Sequence, residues 1–264
     1  MQIITNERKV ARGERVGKIA TLVGLGFLTA GLIISLTVRE MPMVWISFAC
    51  LLVGLVASSI GTMNMNRWLK QPRADVALAQ GLKGFDDKYR LYNYWLPAPH
   101  ILLGPTGLYV LTALGQDGAI SYDGNRFQRK FSAARLVRFM AEEGLGRPFQ
   151  EGDSQVASLQ EFIEKNGIAE DVDIQNVLVF YSPRADLQIA DAPRPVVSTK
   201  GLKKALRRQS GERLPASLYE KLQTLFDTAV QQLSEPAALP GSPYLAVLQP
   251  PHAQIGTVGL QQVG

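Results

Sequence analysis

Two long apolar stretches dominate the pattern of hydrophobic and polar positions near the start of the chain. Residues 19–38 contain no charged side chain, and a second uncharged stretch covers residues 41–66. About 20 apolar residues are enough for a helix to cross the hydrocarbon core of a bilayer. A turn of only four residues, 39–42, separates the two cores. The pattern therefore predicts an antiparallel transmembrane hairpin within residues 19–66, with spans at about 19–38 and 43–63.

Basic side chains flank this predicted hairpin on both outer sides, while the connecting turn carries only Arg39, which Glu40 balances. Cytoplasmic segments next to membrane helices carry an excess of lysine and arginine. The pattern therefore predicts a multi-pass protein of the bacterial inner membrane, with a basic N-terminus (residues 1–18) and everything after residue 73 in the cytoplasm. The flanking basic residues are Arg8, Lys9, Arg12, Arg15, Lys18, Arg67, Lys70 and Arg73.

Small residues recur within both apolar stretches and allow two helices to approach closely. The small residues therefore favour packing of the two helices against each other within the hairpin. They also allow a homo-oligomer in which hairpins of different chains pack together. Neither span contains an ionisable Asp, Glu, Lys, Arg or His side chain, which favours a plain anchor over an ion pathway. The small residues are Gly24, Gly26, Gly31, Gly54, Ser58 and Gly61.

Beyond residue 73 the pattern changes to short apolar runs separated by turn residues. Residues 100–103 and 108–111 flank Gly-Pro-Thr-Gly, and residues 118–122 and 126–130 flank Asp-Gly-Asn, so that each pair predicts a β-hairpin. The centre is therefore predicted to be an antiparallel meander. The other predicted elements are helices over 74–83, 133–143, 154–165, 199–208 and 215–233, a polar and aromatic segment over 87–96, and strands over 175–181 and 195–198.

Together these elements predict an α+β domain over residues 74–233, with helices around a mixed, mainly antiparallel central sheet. Asp153 is the expected cap of the helix over 154–165. Residues 234–264 are rich in proline and glycine and are predicted to form a disordered or loosely docked tail.

Composition adds three constraints. After the hairpin is set aside, a chain of 264 residues has room for one ordinary domain. A net charge of +5 and a pI near 9.3 favour anionic neighbours, although part of the excess belongs to the flanks of the hairpin. Cys50 is the single cysteine, which excludes an intrachain disulfide and a cysteine-rich zinc site.

Residues 79–165 resemble a known family. The most specific part is His-Ile-Leu-Leu-Gly-Pro-Thr-Gly-Leu-Tyr-Val-Leu over residues 100–111, which is similar to the hallmark hairpin of the nuclease-related (NERD) domain. Gly-Leu-Lys-Gly at 81–84, Gly-Ala-Ile at 118–120 and Arg-Pro-Phe-Gln at 147–150 resemble further elements of that domain. The resemblance implies the PD-(D/E)XK restriction-endonuclease-like fold, in a family where N-terminal membrane helices also occur.

The nuclease chemistry of that fold requires carboxylates that hold a divalent metal ion, and a lysine near the attacking water. In the family these are an aspartate at the start of the hairpin, a Glu-x-Lys at its end and a helical glutamate. The matching positions in this chain are Pro99, Thr112, Leu114 and Leu82. None of the four supplies a carboxylate for Mg²⁺ or a lysine. The resemblance thus implies a degenerate site without a cofactor, and a divalent metal only if the true site lies elsewhere.

Other carboxylates each have an ordinary structural explanation. Asp86-Asp87-Lys88 formally satisfies Asp-x-Lys but lies in a polar turn, and Asp117 and Asp123 each precede a glycine, as turn residues do. Glu142 and Glu143 are expected at the solvated end of a helix.

Three further polar residues bear on a catalytic site. His100 stands where the family also has histidine, and a structural role is expected for it. His252 lies in the proline-rich tail, so that no Ser-His-Asp or Cys-His set can be assembled. Gln150 matches a family glutamine, but its spacing from Pro148 is one residue short.

A basic cluster marks the predicted helix over residues 199–208. It is either a solvated helix end or a contact for anions, which would be headgroups of the inner leaflet or nucleic acid. The cluster consists of Lys200, Lys203, Lys204, Arg207 and Arg208.

Three functional hypotheses follow. The first is a membrane-anchored, catalytically inactive nuclease-like protein that binds or scaffolds at the inner face of the membrane. The second is a membrane-tethered, metal-dependent DNA nuclease whose site lies elsewhere in the sequence. The third is a protein-interaction domain without nucleic-acid contact, whose β-hairpin mediates oligomerisation. The lipid bilayer is the one partner that the hydrophobic pattern of the chain predicts directly.

Overall fold

The computed structural model describes residues 1–37, 40–129, 145–209 and 213–234. A short strand, β1 (Gln2–Thr5), is followed by two long antiparallel helices, α1 (Glu7–Thr37) and α2 (Met41–Trp68). Helices of 31 and 28 residues are about 46 and 42 Å long. Both are long and apolar enough to cross a membrane, which confirms the two predicted apolar helices. The connecting residue Arg39 lies outside the described residues.

Small residues at every seventh position line the contact between α1 and α2. A Cβ atom at Gly24 would lie 2.6 Å from the backbone nitrogen of Ser58, and one at Gly61 would lie 2.7 Å from that of Thr21. The backbones therefore touch, as the sequence predicts. Gly26, which was also expected at the helix contact, does not lie in it, because a Cβ there would meet nothing within 4 Å. The residues of this repeat are Gly17, Gly24, Gly31, Ser47, Gly54 and Gly61.

The outer faces of both helices carry large apolar side chains that are exposed. Leu22 is 70% exposed and Trp45 is 72% exposed. Water-soluble proteins rarely present an apolar patch of this extent. The outer faces of α1 and α2 are therefore suited to a hydrocarbon environment.

A six-stranded mixed sheet forms the centre of the domain, in the order β1-β2-β3-β4-β7-β9. Strands β2, β3 and β4 form an antiparallel meander, whereas β1–β2, β4–β7 and β7–β9 are parallel pairs. Of the two hairpins in the predicted meander, only the first, β3–β4, belongs to this sheet. The prediction of a mainly antiparallel sheet is therefore wrong, because β7 and β9 return through crossovers. The strands are β1 (Gln2–Thr5), β2 (Arg90–Asn93), β3 (His100–Gly104), β4 (Gly107–Leu114), β7 (Ile174–Phe180) and β9 (Val196–Ser198).

A second, three-stranded sheet contains β5 (Gly118–Tyr122), β6 (Phe127–Arg129) and β8 (Ala185–Ile189). The predicted β5–β6 hairpin is confirmed, but it leaves the meander and joins β8 as a parallel neighbour. Strand β8 is absent from the sequence prediction. Its five residues alternate between partly buried and exposed, which is too short a signal to separate from a loop.

Helices cover both faces of the large sheet. Leu159, Phe162 and Phe226 of α4 (Pro148–Lys165) and α6 (Ala216–Ser234) pack on one face. Leu78 and Leu202 of α3 (Ala74–Gly81) and α5 (Thr199–Gln209) pack on the other. The result is a three-layer domain, in which β4 and β7 are buried on both faces.

Helix α4 begins earlier than predicted. Pro148 opens the helix and Arg147 occupies the cap position, so that Asp153 is not a cap and instead pairs with Arg194. Proline is favoured at the first helical position because it has no N–H to leave unpaired there. The helix predicted over residues 133–143 and the tail over 235–264 lie outside the described residues.

The helical hairpin and the domain share a joint without a linker. Strand β1 pairs with β2, and one residue later Asn6 caps α1 by accepting a hydrogen bond from the Lys9 backbone N–H (2.9 Å). Trp68 at the end of α2 packs against Tyr94, with ring centroids 5.0 Å apart. Residues 1–18 thus include an edge strand of the domain, which sequence patterns do not reveal in four residues.

Ion pairs reinforce this joint. The Arg73 guanidinium lies 2.7 Å from the buried Asp75 carboxylate and within 4 Å of Glu7 and Glu14 on α1. The hydrogen bond to Asp75 raises the pKa of Arg73 further above its ordinary value. These ion pairs therefore connect the first turns of α1 to the segment around Arg73, which follows α2.

Candidate functional site: a cavity at the joint

A cavity of about 230 Å³ lies at the joint between the helical hairpin and the domain, and we call it the junction cavity. Asn66 and Arg67 enter it from the last turn of α2, and Glu151 and Gln155 enter from α4. Apolar residues at the ends of β3 and β4 complete its wall. Its polar lining residues are Asn66, Arg67, Tyr94, His100, Gln116, Glu151, Gln155 and Tyr181.

Helix α4 reaches the sheet here because Gly152 has no side chain. A Cβ at Gly152 would lie 2.4 Å from the side-chain oxygen of Asn176 on β7. This approach allows Thr112 Oγ1 to donate a hydrogen bond to Gln155 Oε1 (3.1 Å) and to accept one from Asn176 Nδ2 (2.9 Å). Gln155 Nε2 in turn donates to Glu151 Oε1 (3.2 Å). A chain of hydrogen bonds therefore runs from the buried Asn176 and Thr112 to the exposed Glu151 carboxylate at the cavity.

His100 lines the cavity but is buried, with 3% of its surface exposed. Burial, with a smaller contribution from Arg67, lowers its pKa to about 3, so that the ring is neutral near pH 7. Asn93 Nδ2 donates to Thr5 Oγ1 (3.0 Å), so that its Oδ1 is the atom that faces His100 Nδ1 at 2.8 Å. Nδ1 must therefore carry the proton and Nε2 is an acceptor. This hydrogen bond ties β3 to β2 and β1.

Tyr94 occupies the turn between β2 and β3 with a positive φ of 65°. Its backbone N–H donates to the Pro99 carbonyl (2.7 Å), and its ring makes edge contacts with Trp68 and His100. Burial raises the pKa of the Tyr94 phenol far above its ordinary value. The hydroxyl therefore stays protonated at the cavity wall.

The positions that the nuclease resemblance singles out are only partly brought together. Pro99 and Leu114 line the cavity, and Thr112 lies directly behind Gln155. Leu82 is fully buried in a different part of the core, between α3 and α5. Gln150 is exposed and accepts a hydrogen bond from Arg147 (3.3 Å), whereas Glu151 and Gln155 face the cavity. Glu151 and Gln155 are four residues apart and therefore lie on the same face of α4, but this spacing alone does not show that the face lines a cavity.

Asp117 differs from the other aspartates that follow or precede turns. It is 8% exposed and pairs with Arg129 (2.7 Å) and Arg184 (3.0 Å), next to a smaller cavity of about 40 Å³ that adjoins Lys70. Asp117 lies in the connection between β4 and β5, as its position before Gly118 predicts, but its burial and its two ion pairs were not predicted. A buried carboxylate between two guanidinium groups joins β6 to the segment before β8.

The other aspartates have the expected turn roles. The carboxylate of Asp86 accepts the Lys88 backbone N–H (3.1 Å), and that of Asp123 accepts the backbone N–H groups of Asn125 and Arg126 (3.0 Å each). Asp87 is exposed and pairs with the amino group of Met1 (2.8 Å). Glu142, Glu143 and His252 lie outside the described residues.

A divalent metal ion does not fit the junction cavity as described. Among residues 1–37, 40–129, 145–209 and 213–234, no three His, Cys, Asp or Glu side chains are grouped as metal ligands. Glu151 is the one carboxylate among the described residues that line the cavity. Mg²⁺ sites use several oxygen ligands, usually with one or two carboxylates and phosphate oxygens. The described lining is better suited to hydrogen bonds with an organic polar group.

The basic residues of α5 divide into two sets. Lys203 donates hydrogen bonds to the carbonyls of Lys83 (3.2 Å) and Gly84 (3.3 Å) and lies over the Phe85 ring, so that it connects α5 to the end of α3. The other four side chains belong to exposed residues: Lys200, Lys204, Arg207 and Arg208. Only this second set is available for an anion.

Comparison with known proteins identifies no relative for the fold or the cavity. No protein-family model matches the chain, and no match was found among curated proteins or among solved structures.

Proposed function

We propose that this protein is a membrane-anchored binding module. Its helical hairpin crosses the bacterial inner membrane, and its α+β domain, of nuclease-related type, lies at the cytoplasmic face of that membrane. The domain binds there and does not cleave nucleic acid. The observation that carries the proposal is the joint. Only Asn6 separates strand β1 of the sheet from α1, and Trp68 at the end of α2 packs against Tyr94 of the domain. A domain fixed in this way stays at the membrane surface, where it can bind a partner that is located there.

The distribution of charge supports the proposed orientation. Arg12, Arg15 and Lys18 are exposed on the domain-proximal end of α1, and Arg67 and Lys70 lie at the matching end of α2. The positive-inside rule assigns that end, and the domain with it, to the cytoplasm. Both termini of the described chain are then cytoplasmic.

The chemistry of the cavity supports binding over cleavage. The positions that match nuclease ligands hold Pro99, Thr112 and Leu114, and the hydroxyl of Thr112 is used by Gln155 and Asn176. His100 is neutral and hydrogen-bonded to Asn93, so that it is poorly placed to act as a general acid near pH 7.

DNA cleavage by the full chain in lipid nanodiscs tests the absence of catalysis. We expect no cleavage of plasmid or single-stranded DNA with Mg²⁺ or Mn²⁺. The full chain is required, because a fragment that begins at Arg73 would lack strand β1. Metal-dependent cleavage that is lost in Asp86→Ala or Glu151→Gln would contradict the proposal and favour a tethered nuclease.

A further inference from the structure

Strand β1 forms one edge of the large sheet, and its outer side is open in the part of the chain that the structure describes. The backbone N–H of Gln2 donates to the Tyr89 carbonyl (2.9 Å), on the side of β2. In a parallel pair, successive residues of a strand alternate between bonding the neighbouring strand and facing away from it. The backbone groups of Ile3 and Thr5 therefore face away from β2, where no other strand of the described residues pairs with β1.

A groove of about 580 Å³ lies beside this open edge. Ile3 of β1, which is 50% exposed, lines it together with Val76 of α3 and Phe85 from the turn after α3, and polar and charged residues complete the lining. Strand β1 carries neither a charge nor a proline, two features that keep exposed sheet edges from pairing. The edge is therefore suited to a further strand, whose alternate side chains would enter the groove.

The end of α6 lies next to the same edge. The guanidinium of Arg8 donates a hydrogen bond to the carbonyl oxygen of Ser234, the last residue of α6. Leu233 packs on the same apolar cluster as Ile4 of β1. Thr5 precedes Arg8 by three residues, which is at most about 11 Å of chain. The residues that follow α6 therefore begin close to the C-terminal end of β1.

The sequence after α6 contains a run with the pattern of a buried strand. Residues 244–249, Tyr-Leu-Ala-Val-Leu-Gln, are uncharged and stand between Pro243 and Pro250. Residues 236–264 as a whole contain no Asp, Glu, Lys or Arg, whereas segments that stay unfolded in water are typically rich in charge. Nine residues separate the run from Ser234 and can span about 30 Å. The run is therefore long enough for a strand and within reach of β1.

We propose that residues 244–249 add a strand to the large sheet, antiparallel to β1 along its open edge. The segment begins near the C-terminal end of β1, so that a strand formed after a short connection would run back toward Met1. Its backbone would exchange hydrogen bonds with Ile3 and Thr5, and its alternate apolar side chains would cover the groove. An edge occupied in this way no longer pairs with other chains. The inference goes beyond the proposed membrane function and is independent of the orientation of the hairpin.

Disulfide scanning in the full chain tests this pairing. In a Cys50→Ala background, Ile3→Cys is combined in turn with one cysteine in the run, and each pair is oxidised in detergent by copper phenanthroline. Directly opposite side chains of adjacent strands are about 5 Å apart, and their sequence neighbours point to the other face. We expect one position with the highest intramolecular yield, and at least fivefold lower yields at the positions next to it. The five tail variants are Tyr244→Cys, Leu245→Cys, Ala246→Cys, Val247→Cys and Leu248→Cys.

Gln2→Cys in place of Ile3→Cys gives a matched control on the other face of the sheet. Antiparallel pairing requires its highest yield one residue later in the run than that of Ile3→Cys, and a maximum one residue earlier would contradict the proposed direction. Val258→Cys, outside the run, should give at least fivefold less disulfide with either partner. Circular dichroism identifies any variant that fails to fold, and the remaining partner on β1 then carries the scan.

Hydrogen exchange of the full chain gives a second readout without cysteines. The N–H groups of residues 246 and 247 point to opposite sides of a strand, so that one of them faces β1, and proline has no N–H to donate. At least one of Ala246→Pro and Val247→Pro should therefore speed exchange of the amides in residues 3–5 tenfold or more. Val258→Pro should change it less than twofold.

Four outcomes would overturn the inference. The first is the absence of an intramolecular disulfide at every pair, and the second is equal yields at all tail positions, including Val258→Cys. The third is disulfides that form only between chains, which would assign the open edge to a second copy. The fourth is unchanged exchange of residues 3–5 in both Ala246→Pro and Val247→Pro. None of these outcomes bears on the membrane anchor, which is tested separately.

Discussion

At the scale of single residues, the ion pairs of Asp117 give a prediction about stability. Its carboxylate is buried between Arg129 and Arg184. Asp117→Asn would replace the carboxylate that pairs with Arg129 and Arg184 by a neutral amide, and the loss of charge-assisted hydrogen bonds of this kind costs about 1.5–3 kcal/mol. Asp186→Asn is the matched control, because Asp186 is exposed on β8.

Thermal unfolding of the full chain in detergent measures this difference. We expect the midpoint to fall by several degrees in Asp117→Asn and to change little in Asp186→Asn. Equal midpoints in the two variants would mean that the pairs of Asp117 contribute nothing to stability.

The neutral state of His100 gives a prediction about pH. Its folded pKa of about 3 is below the unfolded value of about 6.5, so that the unfolded chain binds an additional proton between these values. The contribution of His100 to stability is therefore full above pH 6.5 and falls by up to about 1.4 kcal/mol per pH unit as the pH drops below that value.

Nuclear magnetic resonance of the histidine ring tests this directly in the His252→Gln variant, which leaves His100 as the one histidine. We expect its ring carbon shifts to stay constant from pH 8 to pH 5. A titration centred near pH 6.5 would show that the ring is accessible and able to take up a proton.

Several residues of the site could not be predicted from the sequence. Glu151 and Gln155 face the cavity only because Gly152 brings α4 against Asn176, which is a contact between distant parts of the chain. Asp117 has the local pattern of a turn residue, since it precedes Gly118, and its partners Arg129 and Arg184 are remote. Local sequence patterns report turns and periodicity, but they do not report tertiary partners.

At the scale of elements, the contact between α1 and α2 depends on which glycines lie in it. Gly24 faces the Ser58 backbone at a distance that excludes a methyl group, while Gly26, two residues later on the same helix, faces open space. Gly24→Ala should force the helices apart and destabilise the hairpin by about 1–3 kcal/mol. Gly26→Ala should be neutral or slightly stabilising, because alanine favours a helix.

Unfolding in mixed micelles by increasing fractions of sodium dodecyl sulfate, followed by tryptophan fluorescence, compares the two variants. We expect Gly24→Ala to unfold at a lower fraction of sodium dodecyl sulfate than the unmodified chain. Gly26→Ala should unfold at the same fraction as the unmodified chain or at a higher one. The reverse order would place Gly26, and not Gly24, in the helix contact.

The exposed basic set of α5 predicts a salt-dependent contact with phosphates. Joint replacement of Lys200, Lys204, Arg207 and Arg208 by glutamine should weaken binding of duplex DNA to the full chain in uncharged nanodiscs. The slope of log K against log salt should fall by about 0.9 for each phosphate contact that is lost. Fluorescence anisotropy at several salt concentrations measures both quantities.

Lys203→Gln is the informative control for that experiment, because Lys203 binds backbone carbonyls of Lys83 and Gly84. It should lower stability by about 1 kcal/mol and leave the slope unchanged. If the unmodified chain binds neither DNA nor anionic lipid at low salt, the exposed set is only a solvated surface and the protein-interaction hypothesis gains support.

Elements with long or strongly patterned sequences are the ones that the sequence predicts well. The two apolar helices and the β3–β4 hairpin around Gly-Pro-Thr-Gly follow from run length and turn residues. The parallel pairing of β7 with β4 does not, because crossovers leave no local signature. Strands β1 and β8 have four and five residues, and such short segments give no reliable period.

At the scale of the whole molecule, the account depends on the union of hairpin and domain. Strand β1 leads directly into α1, and Trp68 packs against Tyr94. The location of the hairpin therefore fixes the location of the domain. Placement in the inner membrane with a cytoplasmic domain is therefore the central claim. The binding function proposed for the domain depends on it.

Cysteine labelling in intact cells tests this claim most directly. Cys50 is the single cysteine, so that Cys50→Ala gives a background into which Glu40→Cys, in the turn between α1 and α2, and Asp186→Cys, on β8, are introduced separately. With a membrane-impermeant maleimide, we predict labelling of Glu40→Cys in spheroplasts and of Asp186→Cys only after the membrane is opened. Labelling of Asp186→Cys in sealed spheroplasts, with Glu40→Cys protected, would contradict the account.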